Sequence, residues 1–180
     1  MKALVLYDSL GGNTEKVARR IHGALNDGGV ETELVKVAEE TEIELYDYDL
    51  LFFGSPVISW QVTKNMRKFV MNKMKAYHET KIKPSAPLRP GKFAVSFCTY
   101  SGVHTGKSEA APLTKWFSAF LEHLGCRMMG EWHIVGAFKE MEELNLHGRL
   151  GDIRGRPNEQ DLLDVENRVK GLLSALQAWI

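Results

Sequence analysis

Residues 3–7, Ala3-Leu4-Val5-Leu6-Tyr7, form an unbroken apolar run of strand formers, and beyond a glycine-containing loop the spacing changes to Val17, Ile21 and Leu25, one face of a helix. The chain therefore opens as strand, loop, helix. Val30, Thr32 and Leu34 alternate with charged residues through Val37, which predicts a second strand. Leu50–Phe53 is a short apolar run punctuated by Gly54-Ser55-Pro56, which predicts a third. Met66, Phe69, Val70 and Lys73 fall at i, i+3, i+4 and i+7, so a second helix runs through the sixties, with Lys73 supplying an aliphatic stem rather than a core residue. A fourth strand is expected from Phe93 to Phe97. Leu113, Trp116, Phe117, Phe120, Leu121 and Leu124 give the cleanest helical stripe in the chain, and Cys126–Val135 reads as a fifth strand. Leu162, Val165, Val169, Leu172, Leu173 and Leu176 predict a closing helix.

Strands alternating with helices, joined by right-handed crossovers, build a parallel sheet covered on both faces. The expected class is doubly wound α/β with five parallel strands. Residues 75–91, with three prolines, and residues 137–158, rich in charge and glycine, do not fit the repeat. Without internal repeats or low-complexity tracts they read as insertions in a single domain. The length of 180 residues agrees with one domain that buries roughly two-thirds of its unfolded surface.

Hydrophobic residues make up 44% and charged residues 26%, so a packed core is expected. Lys plus Arg and Asp plus Glu each number 23, and no single-signed field points to nucleic acid or an anionic membrane as a partner. Cys98 and Cys126 are too few for a disulfide framework and lack C-x-x-C spacing, which places the chain in a reducing cytoplasm. Cys98, at the end of the fourth strand, reads as a small buried hydrophobe. The N-terminal apolar run is too short for a signal segment or a membrane span.

The chemistry begins in the loop after the first strand. Ser9-Leu10-Gly11-Gly12-Asn13-Thr14 offers two glycines that let backbone amides turn inward and three hydroxyl or amide side chains that can donate to phosphate oxygens. The helix beginning near Thr14 adds the positive end of its dipole. A plainer reading has the glycines making a tight turn while Asn13 or Thr14 caps the helix. Of two rival phosphate motifs, one is absent and the other is mis-spaced. No G-x-G-x-x-G occurs, and Gly102-Val103-His104-Thr105-Gly106-Lys107-Ser108 has three residues between its glycines where a P-loop has four.

Val5, Leu6, Tyr7, Asp8, Ser9, Leu10, Gly11, Gly12, Asn13 and Thr14 resemble the flavodoxin signature: apolar, apolar, aromatic, any, Ser/Thr, two of any, small, any, Thr. The resemblance implies strand order 2-1-3-4-5 and a bound FMN, and the lack of Lys or Arg between residues 8 and 15 suits a phosphate neutralised by dipoles. In that fold the ligand lies beyond the carboxyl ends of the strands at the switch point, for which FMN is the general example. Two further loops are then expected at the flavin ring. One is Ser55, Pro56, Val57, Ile58, Ser59 and Trp60; the other is Thr99, Tyr100, Ser101, Gly102, Val103 and His104. Trp60 and Tyr100 are candidates for stacking and otherwise amphipathic rim residues. His104 reads as a solvated loop histidine.

Residues 55–61 and 99–106 contain no Asp or Glu, a departure from strongly acidic carrier flavodoxins that predicts a less extreme flavin potential. The segment 145–157 either covers the flavin, meets a partner, or is a solvated loop leading into the last helix. The resemblance implies a redox protein carrying electrons between redox protein partners. An FMN-dependent reductase passing hydride from a nicotinamide donor, NAD(P)H, to a quinone-type acceptor stands beside it, as does a module without flavin. Oligomeric state is left open by the sequence.

Overall fold

The computed structural model describes residues 1–82 and 85–177. Five strands, β1 (Lys2–Tyr7), β2 (Glu31–Lys36), β3 (Leu50–Pro56), β4 (Phe93–Tyr100) and β5 (Arg127–Val135), pair in the order β2-β1-β3-β4-β5. Every pairing is parallel, as the alternation of strands and helices predicts. Five helices accompany them: α1 (Asn13–Asp27), α2 (Lys64–Tyr77), α3 (Ala111–His123), the short α4 (Glu142–His147) and α5 (Glu159–Gln177).

The two-residue period of the strands sends alternate side chains to opposite faces. Leu4, Leu6, Leu51, Phe53 and Cys98 pack with Met66, Phe69 and Val70 of α2 and Leu113, Phe117 and Leu121 of α3. On the other face Val5, Phe52, Val95 and Phe97 pack with Val17, Ile21 and Leu25 of α1 and Val165, Val169 and Leu176 of α5. The central strands are apolar on both faces because both faces are covered. Lys73 behaves as expected, its ammonium lying 5.7 Å from the Phe69 ring centroid and 5.9 Å from that of Tyr77.

Two strands run further than the apolar runs indicate. Gly54, Ser55 and Pro56 pair with Phe97, Cys98 and Thr99 instead of ending β3, and Thr99 and Tyr100 extend β4 beyond Phe97. Gly54 is a close-approach residue here: a Cβ would stand 2.0 Å from Cζ of the buried Phe97. Pro56 is tolerated because it occupies the last rung, where a missing N–H costs least.

The β2–β3 crossover departs from strict alternation. It carries only a 3-10 turn at Leu45–Asp47, where the Tyr77 hydroxyl accepts from Leu45 N at 3.0 Å and donates to Glu44 Oε1 at 2.8 Å. The 75–91 segment begins inside α2 and passes through a π-turn at His78–Ile82; its residues 83 and 84 lie outside the described residues. The 137–158 segment holds α4, which the sequence pattern did not reveal.

Candidate functional site

The carboxyl ends of β1, β3, β4 and β5 meet at one edge of the sheet, so the loops that follow them come together. The turn after β1 is held from beneath by Asp8, which is 3% exposed. Its Oδ1 accepts from Ser9 N at 2.7 Å, and its Oδ2 accepts from the Thr63 hydroxyl at 2.5 Å. Thr63 is the N-cap of α2, its oxygen accepting from Met66 N. One buried carboxylate therefore fixes the first loop to the start of α2.

Ser9 Oγ accepts from Gly12 N at 3.1 Å and Glu15 N at 3.3 Å, which curls the loop over the first turn of α1. Gly12 is the N-cap, with φ +93°, a left-handed backbone that L side chains rarely adopt. Neither Asn13 nor Thr14 caps the helix. Asn13 Nδ2 donates to Ala137 O at 2.7 Å, and the Thr14 hydroxyl lies 2.8 Å from that of Thr99. These two side chains tie the first loop to the segments after β5 and at the end of β4. Glu15 N is taken by Ser9 Oγ and Lys16 N donates to Gly12 O, so the amides of Asn13 and Thr14, which have no intrahelical acceptors, are the first-turn donors an anion can use.

A cleft of about 180 Å³ runs from this loop, lined by Ser9, Leu10, Gly11, Asn13, Thr14, Pro56, Val57, Ile58, Thr99, Tyr100 and Ser101 together with Gly136, Ala137, Phe138 and Lys139. It shares Val57, Ile58, Tyr100, Ser101 and Phe138 with an adjoining cavity of about 340 Å³, whose wall adds Ser59, Trp60, His104, Thr105 and Glu109. The polar end thus lies at the α1 N-terminus and the apolar, aromatic end between β3, β4 and the chain after β5.

Four residues of the expected loops stay off these walls, Val103 among them. Ser55 is fully buried, its Oγ accepting from Thr63 N and donating to Pro56 O. Gly12 shapes the helix cap, and Gly102 sits beneath Leu150, 2.7 Å from where its Cβ would be. Tyr100 is 8% exposed and meets His133 edge-on at 6.4 Å, whereas Trp60 is 61% exposed. Behind Tyr100, His133 Nε2 lies 2.8 Å from the Thr114 hydroxyl, and burial pushes the imidazole below its ordinary pKa. Cys98 is fully buried, and its burial raises the thiol pKa far above the reactive range.

The residues missing from the sequence reading come from two places. Gly136, Ala137, Phe138 and Lys139 line the cleft because β5 ends at the same sheet edge as β1, β3 and β4; their position directly after the last strand was the available signal. Lys139 brings a cation to the cleft of a loop that has none of its own. Glu109 brings a carboxylate to the apolar, aromatic end from just beyond the 99–106 window, accepting there from His104 N and Thr105 N at 2.7 and 2.8 Å.

The 137–158 segment is a strap across this edge. Asn145, 5% exposed, accepts from Phe138 N at 2.8 Å and donates to Phe138 O at 2.9 Å. Arg149 N donates to Val103 O, Ala137 N donates to Arg156 O, and Arg156 forms a two-bond ion pair with Asp161 at the start of α5. Asn145→Ala leaves both Phe138 backbone groups without their partner and is expected to cost about 1–3 kcal/mol. Faster amide exchange at Phe138 and a lowered melting temperature check this; unchanged protection at Phe138 refutes it.

Among the described residues no helix is long and apolar enough to cross a membrane, and no group of His, Cys, Asp and Glu has the arrangement of a metal site. Residues 4–85 match the family model described as flavodoxin domain. A protein of Archaeoglobus fulgidus named NAD(P)H dehydrogenase (quinone) is 27% identical, with 59% of this chain and 65% of that protein covered. The match therefore spans a little under two-thirds of the relative's length. Among solved structures, a flavodoxin from the domain Archaea superposes with a TM-score of 0.68 at 18% identity, covering 98% of this chain and 99% of that one. A flavodoxin of Streptococcus pneumonia TIGR4 gives 0.65 at 15% identity over 97% and 99%. Rubredoxin oxygen:oxidoreductase of Desulfovibrio gigas gives 0.66 at 18% identity, covering 98% of this chain but 36% of that one. Across residues 4–85 the sequence matches the flavodoxin domain, and throughout the described residues the fold is that of the flavodoxins.

Proposed function

We propose that this cleft binds FMN and that the protein is a flavodoxin-like carrier of electrons between redox partners. One observation supports the reading above the others: a single groove joins a helix N-terminal loop to an apolar, aromatic compartment, the polarity profile of a phosphate-bearing flavin. Ser9, Gly11, Asn13 and Thr14 would hold the phosphate through loop and first-turn amides, with Lys139 on the facing wall. Pro56, Val57, Ile58, Trp60, Tyr100 and Phe138 would flank the ring. FMN supplies the redox chemistry when bound; the chain binds it, excludes water and selects what approaches.

Glu109 sharpens the expectation about flavin potential. Its carboxylate stands at the ring end, but two backbone amides already compensate part of its charge. The apolar rim of Leu10, Ile58, Trp60 and Phe138 adds no negative charge, so a moderate potential still follows.

The name of the Archaeoglobus fulgidus relative favours one second reading, an FMN-dependent NAD(P)H:quinone-type oxidoreductase. The purified protein is expected to take up one FMN, seen as quenching of flavin fluorescence on titration. Under anaerobic conditions NADH and NADPH are expected to leave the bound flavin oxidised on the timescale of minutes. Rapid bleaching would replace the carrier with the reductase, and failure to take up FMN would overturn both.

A further inference from the structure

Trp60 forms part of the walls of two cavities. One is the ring end of the cleft above. The other, of about 300 Å³, is lined by Trp60, Val62, Arg67, Pro112, Leu113 and Trp116, at the starts of α2 and α3.

Three features set this second cavity apart from ordinary surface relief. Ser59 and Trp60 form a two-residue turn with φ of 48° and 64°, closed by mutual hydrogen bonds between Ile58 and Gln61. Both central residues have positive φ, the pattern of a type I′ turn, which ordinarily takes Asn-Gly. A tryptophan there carries backbone strain, because a bulky side chain seldom adopts positive φ. Its indole is 61% exposed, so burial in this chain does not offset that strain.

Trp116 belongs to the apolar stripe of α3, yet it is only half-buried while Leu113, Phe117, Phe120 and Leu121 are covered. It presents its indole to the cavity and is steadied by the Phe117 ring at 5.7 Å. Arg67 is exposed, and its Nη1 donates to Gln61 Oε1 at 3.1 Å. Among the described residues that is the side chain's one hydrogen bond, and it makes no ion pair. A guanidinium has five N–H donors, so most of its capacity faces outward beside two indoles and a proline.

We propose that the cavity between Trp60 and Trp116 binds a flat aromatic anion of one or two fused rings. The rings pack on the indoles and Pro112, and the carboxylate, sulfonate or phosphate group pairs with Arg67. Indole faces favour flat π-systems, and the guanidinium fork matches an oxyanion. The volume lies at the lower end of the roughly 300–1,000 Å³ of ligand sites, which limits the occupant to a small ring system. The site does not depend on FMN, and Trp116 and Arg67 do not line the flavin cleft.

The test is calorimetric titration of the FMN-saturated protein with naphthalene-2-sulfonate and with the neutral naphthalene-2-methanol. Trp116→Leu is expected to weaken the sulfonate by about tenfold. Arg67→Met is expected to weaken the sulfonate by about tenfold and the neutral probe by less than about twofold, because only the former carries the charge Arg67 meets. Equal sulfonate affinity in the wild type and Arg67→Met overturns the proposal, even where Trp116→Leu fails to fold. So does absence of binding, or displacement of the probe by FMN. If the chain takes up no FMN, the same titrations on the flavin-free protein give the same discrimination, so the two readings fail separately.

Discussion

Gly54→Ala is expected to destabilise the protein by about 3 kcal/mol, a fall of roughly 6–12 °C in melting temperature for a chain of this size. The new methyl would stand 2.0 Å from Cζ of Phe97, 2.3 Å from Cε2 and 2.5 Å from Cε1. Phe97 is fully buried on the neighbouring strand and cannot swing away without displacing the α1 and α5 side of the core. Overpacking of this kind forces off-rotamer side chains or backbone shifts. The strain falls one residue before Ser55 and two before Pro56, so the apolar end of the cleft shifts with the strand. Phe97→Leu removes the ring atoms that the methyl meets, and the double variant should be more stable than the sum of the single effects predicts. Thermal unfolding followed by circular dichroism decides it: a drop of less than about 2 °C for Gly54→Ala would show that the Phe97 ring yields to the methyl at little cost.

Gly11→Asp is expected to reduce FMN affinity by roughly 100-fold or more while leaving the flavin-free protein as stable as the wild type to within about 2 °C. Gly11 is exposed, its φ is not positive, and a Cβ there meets nothing within 4 Å. The substitution therefore changes charge without a packing cost. A carboxylate placed among amides that would receive a phosphate both repels the dianion and competes for its donors. Gly11→Asn, of the same shape without the charge, is expected to lose less than about tenfold, which isolates the electrostatic part. Fluorescence-quenching titrations with FMN give the three affinities. Indistinguishable Asp and Asn variants would remove the first loop from the phosphate site.

The cause of legibility differed from element to element. Ala3–Tyr7 and Leu50–Phe53 could be read as strands because a sheet covered on both faces demands continuous apolar runs. Met66, Phe69 and Val70, and the α3 stripe, could be read as helices because one covered face demands a 3.6-residue period. Ends were less legible. Gly54-Ser55-Pro56 has the composition of a turn, but Gly54 is there to let Phe97 in, and the ladder with β4 continues through Pro56. Trp116 matched the core period of α3, yet a half-covered position and a buried one share the same spacing.

The Ser9–Thr14 loop reads as a candidate phosphate cradle because its chemistry is local: glycines, hydroxyls and a helix start lie within six residues. What each side chain does there was not legible. Asp8, an unconstrained position in the motif, reaches Thr63, Thr14 reaches Thr99, and Asn13 reaches Ala137, partners 55, 85 and 124 residues away. Lys139 and Glu109 belong to the cleft for the same reason, since parallel strands bring the carboxyl ends of β1, β3, β4 and β5 to one edge whatever their separation along the chain.

By itself, then, the sequence determined the sheet and its covering, through periodicity, and the glycine and hydroxyl chemistry on which the proposed phosphate site rests, through residues adjacent in the chain. The tertiary structure alone decided which distant side chains close that loop, how the 137–158 strap fastens the edge, and how Trp60 comes to stand between two cavities. Side-chain period is a local property set by the backbone, whereas the partners of a buried hydroxyl, amide or carboxylate are set by whatever the crossovers bring within about 3 Å.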